Sequence, residues 1–140
     1  MVETVKIATM ELRFLQTPEE TKGSLTMFEM HLFPGGRMPV PHHHRDWEET
    51  IYGLTGTTEW TVNGQTVEVG PSESLFIERG IVHGFTNSTT ETAVCLCVLT
   101  PGVLTPAYFR EIAGLIEGGS PDPARIRETM LRHGLVPRDG

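Results

Sequence analysis

The stretch PHHHRDWEET, residues 41–50, decides how this chain is read: three consecutive histidines stand a few residues ahead of two consecutive glutamates. If 42–44 is extended and leads into a strand at Glu49, alternation sends His42 and His44 to one side, about 7 Å apart, and His43 to the other. Two imidazoles so placed can converge on one ion at about 2.0–2.1 Å. Taken alone, the cluster also reads as a solvated polar loop. Glu49 adds a hard anionic oxygen beside the two nitrogens, and His83, at the head of HGFTN, offers a third imidazole. Mixed nitrogen and oxygen sets of this kind suit divalent Fe, Mn, Ni, Zn or Cu and leave positions open for substrate, water or dioxygen.

Outward from this stretch, residues 4 to 100 are short apolar or alternating segments broken by Gly, Pro and Asn, an all-β pattern. VKIAT and ELRFL are expected edge strands. SLTMFEMHLF (24–33) alternates, with Leu25 and Met27 on one face and Phe28, Met30 and Leu32 on the other. ETIYGLTG, TTEWTV and QTVEV follow, the last two joined at Asn63-Gly64, whose residue types accept the positive φ of a tight hairpin. SLFI, HGFT and TAVCLCVLT continue the series, whose spacing suggests a barrel or sandwich.

After Thr100 the period changes. PAYFREIAGLI places Tyr108, Phe109, Ile112, Leu115 and Ile116 on one helical face, and SPDP (120–123) makes a break. PARIRETMLRHG then reads as a second helix with Asp122 as N-cap, Pro123 at the first position and Gly134 as the stop. The expected organisation is a β-barrel over 1–105 and a helical extension over 106–140 packed on it.

A chain of 140 residues suits one domain. Its net charge of −7 and pI near 5.3 provide no basic field for phosphates or anionic lipid, so neither nucleic acid nor membrane is an expected partner. The helical pair does not suggest a DNA-binding motif, because residues 103–140 hold five Arg against five Asp plus Glu. The N-terminus has no apolar run of signal length, and no segment approaches the ~20 apolar residues of a spanning helix, so a soluble cytoplasmic protein is expected. Cys95 and Cys97, two apart on one strand, should be buried free thiols, since same-face neighbours lie about 6.5–7 Å apart, at the limit for a disulfide.

Gly36-x5-His42-x-His44-x4-Glu49-x6-Gly56 resembles the first motif of the cupin superfamily, G-x5-H-x-H-x3,4-E-x6-G, and Gly80-x2-His83-x3-Asn87 resembles the end of its second motif, G-x5-P-x-G-x2-H-x3-N. Ser72 stands at that motif's first glycine, Glu73 after it, and Glu78 at its proline; Gly70 and Pro71 are expected to form the turn instead. The resemblance implies an antiparallel cupin jelly-roll barrel similar to the small quercetinase-like cupins, with one divalent transition metal ion held by His42, His44, Glu49 and His83. Glu49 fits both motif gaps where Glu48 does not, and Glu48 then points oppositely. In related dioxygenases a carboxylate at the Glu49 position doubles as a catalytic base.

Met38, Trp47, Ile51, Trp60, Phe76 and Phe85 border the motifs and are the expected pocket lining for a small organic or aromatic ligand. The implied activity is of dioxygenase type. A non-redox isomerase, lyase or cyclase and a ligand-sensing cupin without turnover are the alternatives. The N-terminal strands, with no evident partner in the barrel, suggest a homodimer.

Overall fold

The computed structural model describes residues 3–118 and 121–138. Its strands are β1 Glu3–Ile7, β2 Met10–Gln16, β3 Thr26–Leu32, β4 His42–His44, β5 Glu48–Thr55, β6 Thr58–Val62, β7 Gln65–Val69, β8 Ser74–Ile77, β9 His83–Thr86, β10 Ala93–Thr100 and β11 Leu135–Pro137. Helices α1 Pro106–Glu117 and α2 Pro123–Arg132 lie between β10 and β11.

Alternation does what the sequence predicts. In β3, Thr26, Phe28, Met30 and Leu32 are buried and the residues between them half-buried; in β10 the buried set is Ala93, Cys95, Cys97 and Leu99. These strands sit at the centre of a six-stranded antiparallel sheet in the order β1-β2-β3-β10-β5-β8. A second sheet runs β11-β4-β9-β6-β7. Side chains from both sheets and both helices meet in one apolar core, which includes Leu12, Phe28, Ile51, Trp60, Tyr108 and Met130. Each large side chain so buried is worth roughly 1.5–3 kcal/mol. Cys95 and Cys97 are buried free thiols, as their spacing implies.

Asn63 and Gly64 have φ of 51° and 80°, the primed turn that joins β6 to β7. Gly36, the first motif glycine, is required by close approach: a Cβ there would lie 2.6 Å from Leu32 Cδ1 and 2.9 Å from Thr9 O. The motif asparagine, Asn87, is wholly buried and acts as a tie. Its Nδ2 donates to Leu32 O at 2.9 Å and Glu91 O at 2.8 Å, while its Oδ1 accepts from Thr89 N at 2.9 Å.

Two expectations change. The N-terminal strands do have partners within the chain, since β2 pairs with β3 from Met10↔Leu32 onward and β1 pairs with β2. Their own alternation, with Met10, Leu12 and Phe14 buried, makes β2 a full member of the sheet and leaves β1 as its edge. The extension, moreover, does not end as helix. Both helices form where expected, with Asp122 Oδ1 accepting from Ala124 N at 3.0 Å, but the chain then turns through Gly134 and adds β11 to the second sheet beside the histidine strand. Ser120, the start of the expected break, lies outside the described residues.

Candidate metal centre

β4 is only three residues long and is held on both sides. His42 pairs with His83 of β9, while His42, His43 and His44 pair with Pro137, Val136 and Leu135 of β11. Arg45 N donates to Gly134 O at 3.0 Å and Arg138 N to Pro41 O at 2.9 Å, closing the ladder at both ends. Pleating then turns His42 and His44 inward and leaves His43 half-buried on the other face.

The ring nitrogens of His42, His44 and His83 lie within 4.8 Å of one another. His42 Nδ1 is 2.8 Å from Val40 O and His83 Nδ1 is 3.0 Å from Ile81 O. A carbonyl only accepts, so both Nδ1 atoms carry the proton and both Nε2 atoms present a lone pair, the arrangement typical of metal-ligating histidines. His42 Nε2 faces His44 Nε2 at 3.2 Å, and His83 Nε2 is buried with no hydrogen-bond partner among the described residues. An orphaned buried acceptor costs about 1–3 kcal/mol. A cation shared among the three nitrogens removes that cost, so the donor set fits a borderline divalent metal ion.

Burial is the main reason all three imidazoles are held neutral. It pushes His42 down to about 3, helped by the neighbouring His83, and lowers His44 and His83 as well. Deprotonated imidazole is the ligating form, so the site is ready at neutral pH.

Glu49 is the one carboxylate on the inner face of β5, with Oε1 at 3.7 Å from His83 Nε2 and 3.9 Å from His44 Nδ1. Burial raises its carboxyl to about 7, partly offset by a hydrogen bond from the Cys97 thiol. Despite their proximity, Glu49 and the imidazoles are therefore not strong ion pairs; desolvation favours the neutral form of each. Glu48 points the other way and pairs with Arg79 at the surface, as alternation demands.

His42 and His44, with Glu49, border a cavity of about 90 Å³ whose other walls are almost wholly apolar. Of the expected pocket residues, Met38 and Phe85 line it. Trp47, Ile51 and Trp60 do not; each is at most 1 % exposed and packed in the core. Trp47 instead stacks behind His44, with ring centroids 4.7 Å apart, and Trp60 lies 6.5 Å from the His83 ring while its Nε1 donates to Thr58 Oγ1 at 2.8 Å. Phe76 must be corrected outright. It is 56 % exposed, because Ile77 takes the inward position opposite Glu49 and period two turns its neighbour outward.

Residue-by-residue reading of the sequence missed the far wall. Tyr108, Phe109 and Ile112 of α1 and Ile126 and Met130 of α2 all line the cavity. Their helical spacing was a visible signal of burial, but not of what they would be buried against. Glu111 fastens the two helices together, accepting from Arg132 Nη1 at 3.2 Å and lying 3.3 Å from His133 Nε2.

Comparison with known proteins agrees with this architecture. Quercetin 2,3-dioxygenase of Bacillus subtilis is 34% identical over 86 residues, which is 61% of this chain and 25% of that protein, so the chain spans a quarter of its relative's length. Among solved structures, the polyketide cyclase RemF from Streptomyces resistomycificus is similar with a TM-score of 0.62 and 31% identity over 71% of this chain and 73% of that one. A predicted oxalate decarboxylase from Thermotoga maritima shares the fold, with a TM-score of 0.64 and 21% identity over 72% of this chain and 92% of that one. Residues 28–99, which carry both motifs and three inward histidines, match the family model described as the cupin domain, and the chain belongs to that family.

Proposed function

We propose that this protein is a metal-dependent enzyme of dioxygenase type acting on a small organic or aromatic substrate, with His42, His44, His83 and Glu49 as ligands of one divalent transition metal ion. The observation that carries this reading is the convergence of three neutral imidazoles, one with an Nε2 unpartnered among the described residues and the other two on the wall of an apolar cavity. When bound, such an ion supplies polarisation of a substrate oxygen and, as Fe(II), activation of dioxygen. Glu49, the buried carboxylate beside the histidines, would accept a proton from a substrate hydroxyl on shifting off the ion. The Cys97 thiol that hydrogen-bonds to it steadies the carboxylate beside walls that are almost wholly apolar. The sequence similarity to quercetin 2,3-dioxygenase supports this choice of reaction.

Elemental analysis of purified protein beside His42→Ala and His83→Ala tests the ligands, and dioxygen uptake after Fe(II) reconstitution with enediols, flavonols and catechols tests the reaction. Equal metal content in all three proteins overturns the site. No uptake with any metal overturns the dioxygenase. The likeness to RemF favours a second reading, a non-redox cyclase, for which turnover persists under nitrogen with zinc.

The edge of β1, unpaired among the described residues, supports a homodimer, to be checked by sedimentation.

A further inference from the structure

The cavity beside the histidines is polar at one end only. His42, His44, Glu49 and Cys97 form that end. Among the described residues no Lys, Arg, Asp, Ser, Thr, Asn or Gln lines the remainder, where Tyr108 carries the single hydroxyl. A carboxylate or phosphate reaching away from the polar end would be desolvated with no counter-charge to meet it. A ligand with its oxygens gathered at one edge has no such difficulty.

Size narrows the class. At about 90 Å³ the cavity is well below the ~300–1,000 Å³ of a drug-sized pocket. The limit is imposed from the C-terminal side, where the Phe109 ring packs 5.7 Å from Phe28 and 5.5 Å from Phe14, and Ile126 and Met130 of α2 complete the wall. Met10, Met30, Met38 and Met130 all face the space, and their polarisable sulfurs favour contact with aromatic ring edges.

We propose that the cavity takes a single-ring, otherwise apolar compound carrying adjacent oxygen donors at one edge, of the catechol type, and that α1 and α2 exclude larger ring systems. This selectivity rests on the reading that the histidines and Glu49 hold a metal ion. Dicarboxylates and sugar phosphates are excluded by the uncharged far wall, and three-ring flavonols by the helices.

The test is calorimetric, on the full-length protein loaded with zinc, a redox-inert metal, so that binding is read without turnover. The expected result is that 4-methylcatechol binds about 10-fold or more tighter than quercetin, oxalate or glucose 6-phosphate, and that Phe109→Ala tightens quercetin binding by about 10-fold. If Phe109→Ala fails to unfold cooperatively, Ile126→Ala, half-buried in the same wall, takes its place. Oxalate, glucose 6-phosphate or quercetin binding the unaltered protein as tightly as 4-methylcatechol overturns the proposal. So does protein that retains zinc but binds no catechol, a result that leaves the metal site standing. Protein that retains no zinc overturns both.

Discussion

Leu135 stands directly opposite His44 in an antiparallel ladder, so the last described strand is the outer neighbour of the strand that carries two of the three converging histidines. Because β4 has only three residues, its position is set by neighbours more than by its own length. The C-terminal extension thus acts twice on the site. Its helices wall the cavity, and its terminal strand fixes the direction in which His42 and His44 point.

Gly134 is the hinge of that arrangement and gives the first prediction. Its φ of 90° is left-handed, and a Cβ there would lie 3.0 Å from Trp47 Cζ3, on the indole that stacks against His44. Gly134→Ala should cost about 1–2 kcal/mol of stability from the backbone alone. Displacement of the indole behind His44 should also weaken metal binding about 10-fold, the usual penalty for disturbing a residue that supports a ligand. Thermal unfolding and chelator competition measure the two effects separately, and unchanged metal affinity in a destabilised variant would show that β11 is only a structural strand.

The second prediction links metal to stability. A ligand that binds only the folded chain stabilises it by about 2.7 kcal/mol at 100 times its dissociation constant. Adding zinc to metal-free protein should therefore raise the unfolding midpoint, and His83→Ala should abolish most of the rise. When both are metal-free, the same variant should be less stable than the unaltered protein, because it opens a cavity and takes the Nδ1 donor from Ile81 O, a loss only partly offset by removing the unpartnered Nε2.

The inward and outward roles in PHHHRDWEET were legible because a strand has period two. Once 42–44 and 48–55 are strands, His42, His44 and Glu49 share the inner space while His43 and Glu48 leave it. The aromatic residues were less legible, since hydrophobicity announces burial without saying which void a side chain faces. Trp47 and Trp60 are both buried, yet they support the site's imidazoles from behind and leave the cavity to Met38 and Phe85. β11 was hidden for another reason: LVP after a glycine carries too few residues to show a period, and only its pairing with β4 makes it a strand.

Ser72 supplies a third prediction. It occupies the position of a motif glycine and adopts the left-handed conformation that favours glycine, with φ of 66°. Glu73 N donates to Gly70 O at 3.1 Å and Gly70 N to Glu73 Oε1 at 2.7 Å, so the turn closes on Gly70 and Glu73 around a strained serine. Left-handed backbone costs an L-residue about 1–2 kcal/mol, and glycine gives back roughly 0.5–1 of this in unfolded-chain entropy. Ser72→Gly should accordingly stabilise the protein by roughly 0.5–1 kcal/mol. Ser72 does not line the cavity, so metal content should not change. A lower unfolding midpoint for the variant would contradict the strain argument.

The last prediction concerns acid and the metal-free protein. His42 is held at about 3 against an ordinary 6.5, and His44 and His83 are shifted in the same direction, so below pH 6.5 the unfolded chain binds more protons than the folded one. Stability from the histidines is therefore full above 6.5 and is lost as the pH falls toward 3. Glu49 acts oppositely. With its carboxyl at about 7 against an ordinary 4.5, it is the folded chain that takes up the proton between those values, and stability rises as the pH falls through 7 toward 4.5. Three imidazoles outweigh one carboxyl, so the urea midpoint of metal-free protein should decline between pH 6.5 and 4. Glu49→Gln cannot titrate, and the decline in that variant should be steeper over the same interval. Bound metal ought to flatten the profile near neutrality by keeping the imidazoles deprotonated and the carboxylate ionised, until protons displace it. A midpoint in the metal-free protein that holds constant or rises down to pH 4 would mean that the histidines are not buried in the neutral form, and with that the preformed site would be lost.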